Sequence, residues 1–351
     1  ADGREPGWAV DVDLRAATST ARLQGRLAPR ADDDRWQLAV DAPALAALKP
    51  LLAALRSGPV VDGLAGALVA DMQVLGRWPA LRTQGSLRAD ALRAGPVGAQ
   101  RLAARWQAGP DRAAALAVTI DGERVALGDA GFDTLRASVD GSLAAHTLAV
   151  DASTALRPPA WTDTLTGSGA APGSRVKLRA DGRWQAAPAV AATASTPSAP
   201  STPSAKSSGP TARSPAPVPA PLPMAGQWQA RVTELDARGR DAAQPWFSAR
   251  DVTVQATLDG TGALVQAGAA AGRASLLGAA VTWRDARYAA ARDGQPAQMA
   301  LDAELEPLAV APWLSRLQPD AGFGGDLTVK GRVVVTHQQA FGADIVLERA
   351  S

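Results

Sequence analysis

At 351 residues the chain has room for two or three ordinary domains or for one long repetitive one. Its 36 Lys and Arg against 34 Asp and Glu leave a net charge of +2, so no basic surface advertises a nucleic-acid partner. The absence of cysteine excludes disulfides, thiol catalysis and cysteine-ligated zinc.

Apolar residues make up 46% of the chain but are mostly Ala, Leu and Val, a composition that suits many thin layers better than one thick core. Ten Trp stand against one Tyr and four Phe, and Trp36, Trp106, Trp184 and Trp228 are each followed by Gln. A recurring pair implies a recurring structural position. The opening ADGREPGWAV has no apolar core behind a basic start, and no run of about eighteen apolar residues occurs, so no membrane-spanning helix is expected. The chain starts without Met and stops inside the strand-like IVLERAS, and it is expected to be an interior fragment of something longer.

Along the chain, the dominant signal is alternation of apolar and polar residues, which a strand sorts onto opposite faces. Leu23, Gly25 and Leu27 alternate with Arg22, Gln24 and Arg26, and Trp36, Leu38 and Val40 with Arg35, Gln37 and Asp41. Between them ADDDR (31–35) reads as a solvated turn. PALAALKPLLAALRSG has leucines at helical spacing and predicts a short helix near 43–57, kinked or split at Pro50. Strands follow with Leu68, Met72 and Val74, then Leu102 and Trp106, then Leu135 and Val139, then Leu148 and Val150, each on one apolar parity. His146 shares that last parity and is expected to make a structural hydrogen bond at the border of the apolar face. In SRVKLRADGRWQ, Val176, Leu178 and Trp184 oppose a row of charged residues.

Residues 187–224 are Pro/Ser/Ala/Thr-rich and are expected to be a disordered insertion joining two strands, since they cannot bury enough surface to offset ordering. They divide a first segment, 1–186, from its continuation, 225–351. Strands resume with Trp228 and Val232, then with Val252, Val254 and Leu258. PLAVAPWLSRLQP predicts a second short helix near 307–318, and Leu327, Val329, Val333 and Val335 carry the last alternation. Each predicted helix is followed by a Gly-rich turn and a long strand, which reads as an internal repeat. Asp-Gly pairs at 121–122, 140–141, 181–182 and 259–260 suggest hairpin turns, although alternation continues through 181–182. The reading is a mainly all-β chain, an elongated antiparallel meander curled into a half-pipe. Its apolar side chains line a groove suited to acyl chains, with Trp as flat fillers on that side.

The chain offers no nucleophile elbow, phosphate loop or dinucleotide fingerprint, and neither a catalytic residue, a metal site nor a cofactor is expected. Two other readings stay open. One is a non-conducting β-scaffold or adhesin-like protein, and the other a carbohydrate enzyme, which would need a converging carboxylate pair.

The unit from WQLAVDAPALAALKP to DMQVLGR, the hairpin FDTLRASVDGSLAAHTLAVDAS, the later WTDTLTG and the closing GGDLTVKGRVVVTHQQAFGADIVLERAS resemble the TamB group of the AsmA-like, bridge-like lipid transfer superfamily. The pattern D-G-S-L-x-x-H-x-L at 140–148, with Trp161 after it, is the most specific part, and the likeness covers most of the chain outside 187–224. The resemblance implies a β-taco whose groove carries phospholipid between the inner and outer membranes of a Gram-negative bacterium. It implies a periplasmic location, an inner-membrane anchor in the full-length protein and support of outer-membrane protein assembly and secretion. It further implies partnership with a TamA-type Omp85 barrel, through regions expected to lie outside these residues.

Overall fold

The computed structural model describes residues 8–49, 63–77, 80–128, 130–155, 173–187, 225–239, 245–260, 262–292, 294–311, 326–337 and 341–350, with 242, 313 and 314. Among these residues eighteen strands form one sheet. The first nine are β1 (Trp8–Ala16), β2 (Ser19–Leu27), β3 (Arg35–Ala42), β4 (Ala65–Leu75), β5 (Arg82–Ala94), β6 (Val97–Ala108), β7 (Leu116–Leu127), β8 (Ala130–Gly141) and β9 (His146–Thr154). The rest are β10 (Ser174–Ala186), β11 (Gly226–Gly239), β12 (Phe247–Ala249), β13 (Val252–Leu258), β14 (Leu264–Leu276), β15 (Ala279–Ala289), β16 (Gln298–Ala309), β17 (Thr328–His337) and β18 (Phe341–Ala350).

Each strand pairs antiparallel with its neighbours in the sequence, so the sheet is an all-β meander. The short β12 and the β13 that follows lie end to end between β11 and β14 and act as one interrupted strand. Among the described residues β1 pairs with β2 alone and β18 with β17 alone, which leaves two sheet edges open. Strands spaced about 4.8 Å apart give the sheet a contour of roughly 75 Å. β10 and β11 pair up to Ala186 and Gly226, and Ala187 N–H donates to Ala225 C=O at 2.9 Å. The Pro/Ser-rich segment therefore leaves from and returns to one hairpin end; residues 188–224 lie outside the described residues.

What curls the sheet is a set of β-bulges. In eight places within β5–β8 and β11–β15 the inward residues step once by three instead of two: Ala89 to Leu92, Ala99 to Leu102, Gly122 to Val125, Phe132 to Leu135, Val232 to Leu235, Ala249 to Val252, Ala269 to Gly272 and Trp283 to Ala286. The first four are aligned across β5–β8, where Ala89, Leu102, Gly122 and Leu135 are successive cross-strand partners. The other four are aligned across β11–β15. An extra residue bends its strand and raises the local twist, so two such rows bend the sheet along two lines. Ala91, Arg124 and Asp251, at positive φ of 49°, 47° and 58°, sit at these bulges.

Three details depart from the sequence reading. Of the expected helix at 43–57, the described part is one 3-10 turn, Leu45–Leu48, and 50–57 lie outside the described residues. Residues 307–309 belong to β16, which continues past a bulge at Glu306–Pro307, where a proline needs no ladder hydrogen bond. One helical turn follows, with Leu314 N–H donating to Val310 C=O at 2.9 Å, and 315–325 lie outside the described residues. Asp121-Gly122 is not a turn but mid-strand, with Gly122 between Leu102 and Leu135, while Asp140-Gly141 and Asp259-Gly260 do sit at turns. The β14–β15 turn uses Leu277 and Gly278, both at positive φ as a type I′ turn requires.

Candidate functional site

The registers can be followed as straight lines across the whole sheet. One line runs from Val10 through Gly25, Trp36, Val74, Thr83, Ala108, Leu116, Gly141, His146, Gly182, Ala230, Val254, Ala269, Ala286, Leu301 and Val335 to Ala343. It crosses every strand position without meeting a charged residue. Two residues further along the strands, a second line passes Leu23, Leu38, Met72, Trp106, Val118, Val139, Leu148, Ala180, Val232 and Val252 and is apolar throughout. The line between them belongs to the other face and is polar: Gln24, Gln37, Gln73, Gln84 and Gln107 stand side by side on five strands, with Gln84 Nε2 donating to Gln73 Oε1 at 2.9 Å.

The Trp-Gln repeat follows from this arrangement. Where Gln joins the outer row, its Trp lies on the apolar face over a glycine. A β-carbon at Gly25 would meet the ring of Trp36, one at Gly85 the ring of Trp106, one at Gly226 the ring of Trp184 and one at Gly272 the ring of Trp283. Glycine leaves a shallow place on the pleated surface, and the indole covers it. Trp8, Trp36, Trp106, Trp184 and Trp228 all fall within two residues of the line through Trp36, roughly 7 Å along the strands, and Trp283 lies three from it. They form a band near one long rim of the sheet.

Apart from Leu327, the expected groove residues lie at apolar register positions. Leu68, Met72, Val74, Leu102, Trp106, Leu135, Val139, Leu148, Val150, Val176, Leu178, Trp184, Trp228, Val254, Leu258, Val329, Val333 and Val335 are half-buried. Val232 and Val252 depart from an open lining. They are 6% and 5% exposed within a packed patch that includes Ala180, Ala230, Ala249 and Ala274. Leu327 precedes β17 and is exposed. Among the described residues, the buried apolar side chains are mostly alanines, and most of the larger ones keep part of their surface open.

The opposite face carries cross-strand ion pairs. Arg332 grips Asp302 with two bonds of 2.9 and 2.7 Å, Lys177 Nζ lies 3.0 Å from Glu234, and Arg231 lies 2.8 Å from Asp251. The Arg332 bond holds the Asp302 carboxyl below its ordinary range, and the Lys177 bond does the same for Glu234. Cavities open on this charged face, and one of about 890 Å³ lies across β6–β11 among Arg101, Glu123, Arg136, Asp151, Lys177 and Arg238.

Two features were not legible as such. The turn at ADDDR is not simply solvated: Asp34 is fully buried and accepts from Ala28 N–H at 2.6 Å and from Arg77 at 2.8 and 3.1 Å. Its acid range is lowered first by the Arg77 bond and then by Ala28. In the D-G-S-L-x-x-H-x-L stretch, Trp228 Nε1–H donates to His146 Nε2 at 2.9 Å. An indole only donates, so Nε2 accepts and Nδ1 carries the proton, which it gives to Ser142 C=O at 3.1 Å. His146 is thus a structural tie between the β8–β9 loop and β11. Among the described residues no three His, Asp or Glu side chains come together as a metal site.

No protein-family model, curated protein or solved structure matches the chain. The arrangement offers a long, uncharged and partly open surface backed by a charged one, which is suited to holding an extended apolar ligand by area rather than by a catalytic constellation.

Proposed function

We propose that the chain is a periplasmic segment of a TamB-like bridge protein, conducting phospholipid along its apolar face between inner and outer membranes and so supporting outer-membrane protein assembly. The single observation behind this reading is the uncharged register line that crosses every strand from Val10 to Ala343. Each methylene moved from water onto such a surface gains up to about 0.8 kcal/mol, and an unbroken surface lets an acyl chain slide without meeting a charge. The resemblance at residues 140–148 supplies the membranes, the anchor and a TamA-type partner as parts of the same proposal.

A second reading, a non-conducting scaffold whose apolar face is covered by protein, is favoured by the cavities on the charged face and by the packed patch at Val232 and Val252. Photo-crosslinking amino acids at Leu178 and Val150, and separately at Lys177 and Thr253, separate the two. The conduit captures phospholipid from the first pair. Capture confined to the second pair, or protein alone captured by the first, overturns it.

A further inference from the structure

The Trp band has a counterpart on the opposite face. One residue outward from the line through Trp36, Arg26, Arg35 and Arg82 occupy one level of β2, β3 and β5, and Arg26 and Arg35 are direct cross-strand partners. Like charges placed opposite each other are destabilising. None of the three has an ion-pair partner among the described residues, although Asp32 and Asp33 are exposed in the adjoining turn. The same level carries Arg183 and Arg287 on β10 and β15, and no carboxylate stands on it in any described strand.

On the apolar side of this rim, Trp36, Trp106 and Trp184 are half-buried and make no hydrogen bond from their indole N–H to another described residue. An indole with an apolar body and an unspent N–H suits the boundary between hydrocarbon and polar groups. A guanidinium on a long stem at a strand end can turn past that boundary. We propose that this rim receives the anionic head group of a diacyl phospholipid, with Arg26, Arg35 and Arg82 beside its phosphate and the tails pointing toward the opposite rim. This rests on the lipid-binding reading above and adds an orientation and a charge preference to it.

The test uses the whole chain with two diacyl phosphatidylglycerols, one with a diazirine on the acyl carbon nearest the glycerol and one with it on the terminal carbon, the crosslinked residues being mapped by mass spectrometry. The near-glycerol probe should label Trp36, Val74 and Thr83, and the terminal probe Leu87, Ile120 and Leu178. R26Q/R35Q/R82Q, all on exposed side chains, should lower capture of phosphatidylglycerol relative to phosphatidylcholine by roughly tenfold and flatten its salt dependence. Reversed or evenly spread labelling, or an unchanged lipid ratio in a variant with wild-type circular dichroism, overturns the orientation while leaving lipid binding intact. No capture of either probe overturns both.

Discussion

Gly25 and Trp36 give the sharpest test of how the apolar face is built. The three atoms nearest a β-carbon added at Gly25 all belong to the Trp36 ring, two of them at 2.6 Å, so Gly25→Ala meets that side chain first. Overpacking of this kind costs about 1–3 kcal/mol, against which alanine recovers about 0.5–1 kcal/mol of unfolded-state entropy. Trp36→Ala alone gives up a half-buried indole; covering roughly 100 Å² at about 25 cal/mol/Å² makes that about 2.5 kcal/mol. In the double variant there is no ring to meet, so Gly25→Ala should turn from destabilising to slightly stabilising. Urea midpoints of the four proteins form a double-mutant cycle with an expected coupling of about 1–3 kcal/mol. Additive effects, with alanine at 25 equally harmful when Trp36 is absent, would refute the claim that ring and glycine form one unit.

Three further outcomes follow from single sites. Asp34 is held below its ordinary value of 3.8 by Arg77 and Ala28, so its contribution is complete above that value and is lost as pH falls through the depressed one. The melting-temperature gap between wild type and Asp34→Asn should therefore hold from neutral pH to about pH 5 and close under stronger acid; a gap that widens in acid would contradict the assignment. His146→Ala should cost about 1 kcal/mol and move the Trp228 indole N–H resonance upfield, the sign of a lost acceptor; an unmoved resonance would remove the tie. Val150→Arg places a charge on the half-buried apolar surface outside the packed patch, and it should abolish phospholipid capture while the circular dichroism stays that of the wild type. Global unfolding of this variant would mean that the face is a filled core.

The strands were legible because alternation is a local property, and Val176 to Trp184 show their faces without reference to any neighbour. The register was not. The glutamine row from Gln24 to Gln107 exists only once five strands are aligned, and the arginine row at Arg26, Arg35 and Arg82 likewise. Asp121-Gly122 misled because Asp-Gly is a turn signal, yet here the glycine makes room for Val125 and Leu102 within the sheet. Asp34 misled for a related reason: its neighbours Asp32 and Asp33 are exposed, and the arginine that pairs with it arrives from the end of β4.

The bulges tie curvature to one-sidedness. A strand with an extra residue keeps its greasy face only if its sequence slips phase at the same point, and the chain makes that slip: Val232 is followed inward by Leu235, Ala249 by Val252, and Trp283 by Ala286. Had alternation run on by two past Val232, Glu234 would face the apolar side and Leu235 the charged one. Thr233 therefore has no register partner on β10; its hydroxyl donates to Arg179 C=O at 3.2 Å, and its backbone supplies the bend. Arg284 likewise has no register partner on β16, while its side chain pairs with Glu304 there at 2.7 Å. Slips repeated on adjacent strands are what a curved surface with one continuous apolar side requires, whereas a flat scaffold would need none of them. The charged face must pass the same lines, and its ion pairs across them, Arg101 with Glu123 in the first row and Arg231 with Asp251 in the second, hold neighbouring strands together where the ladder is interrupted.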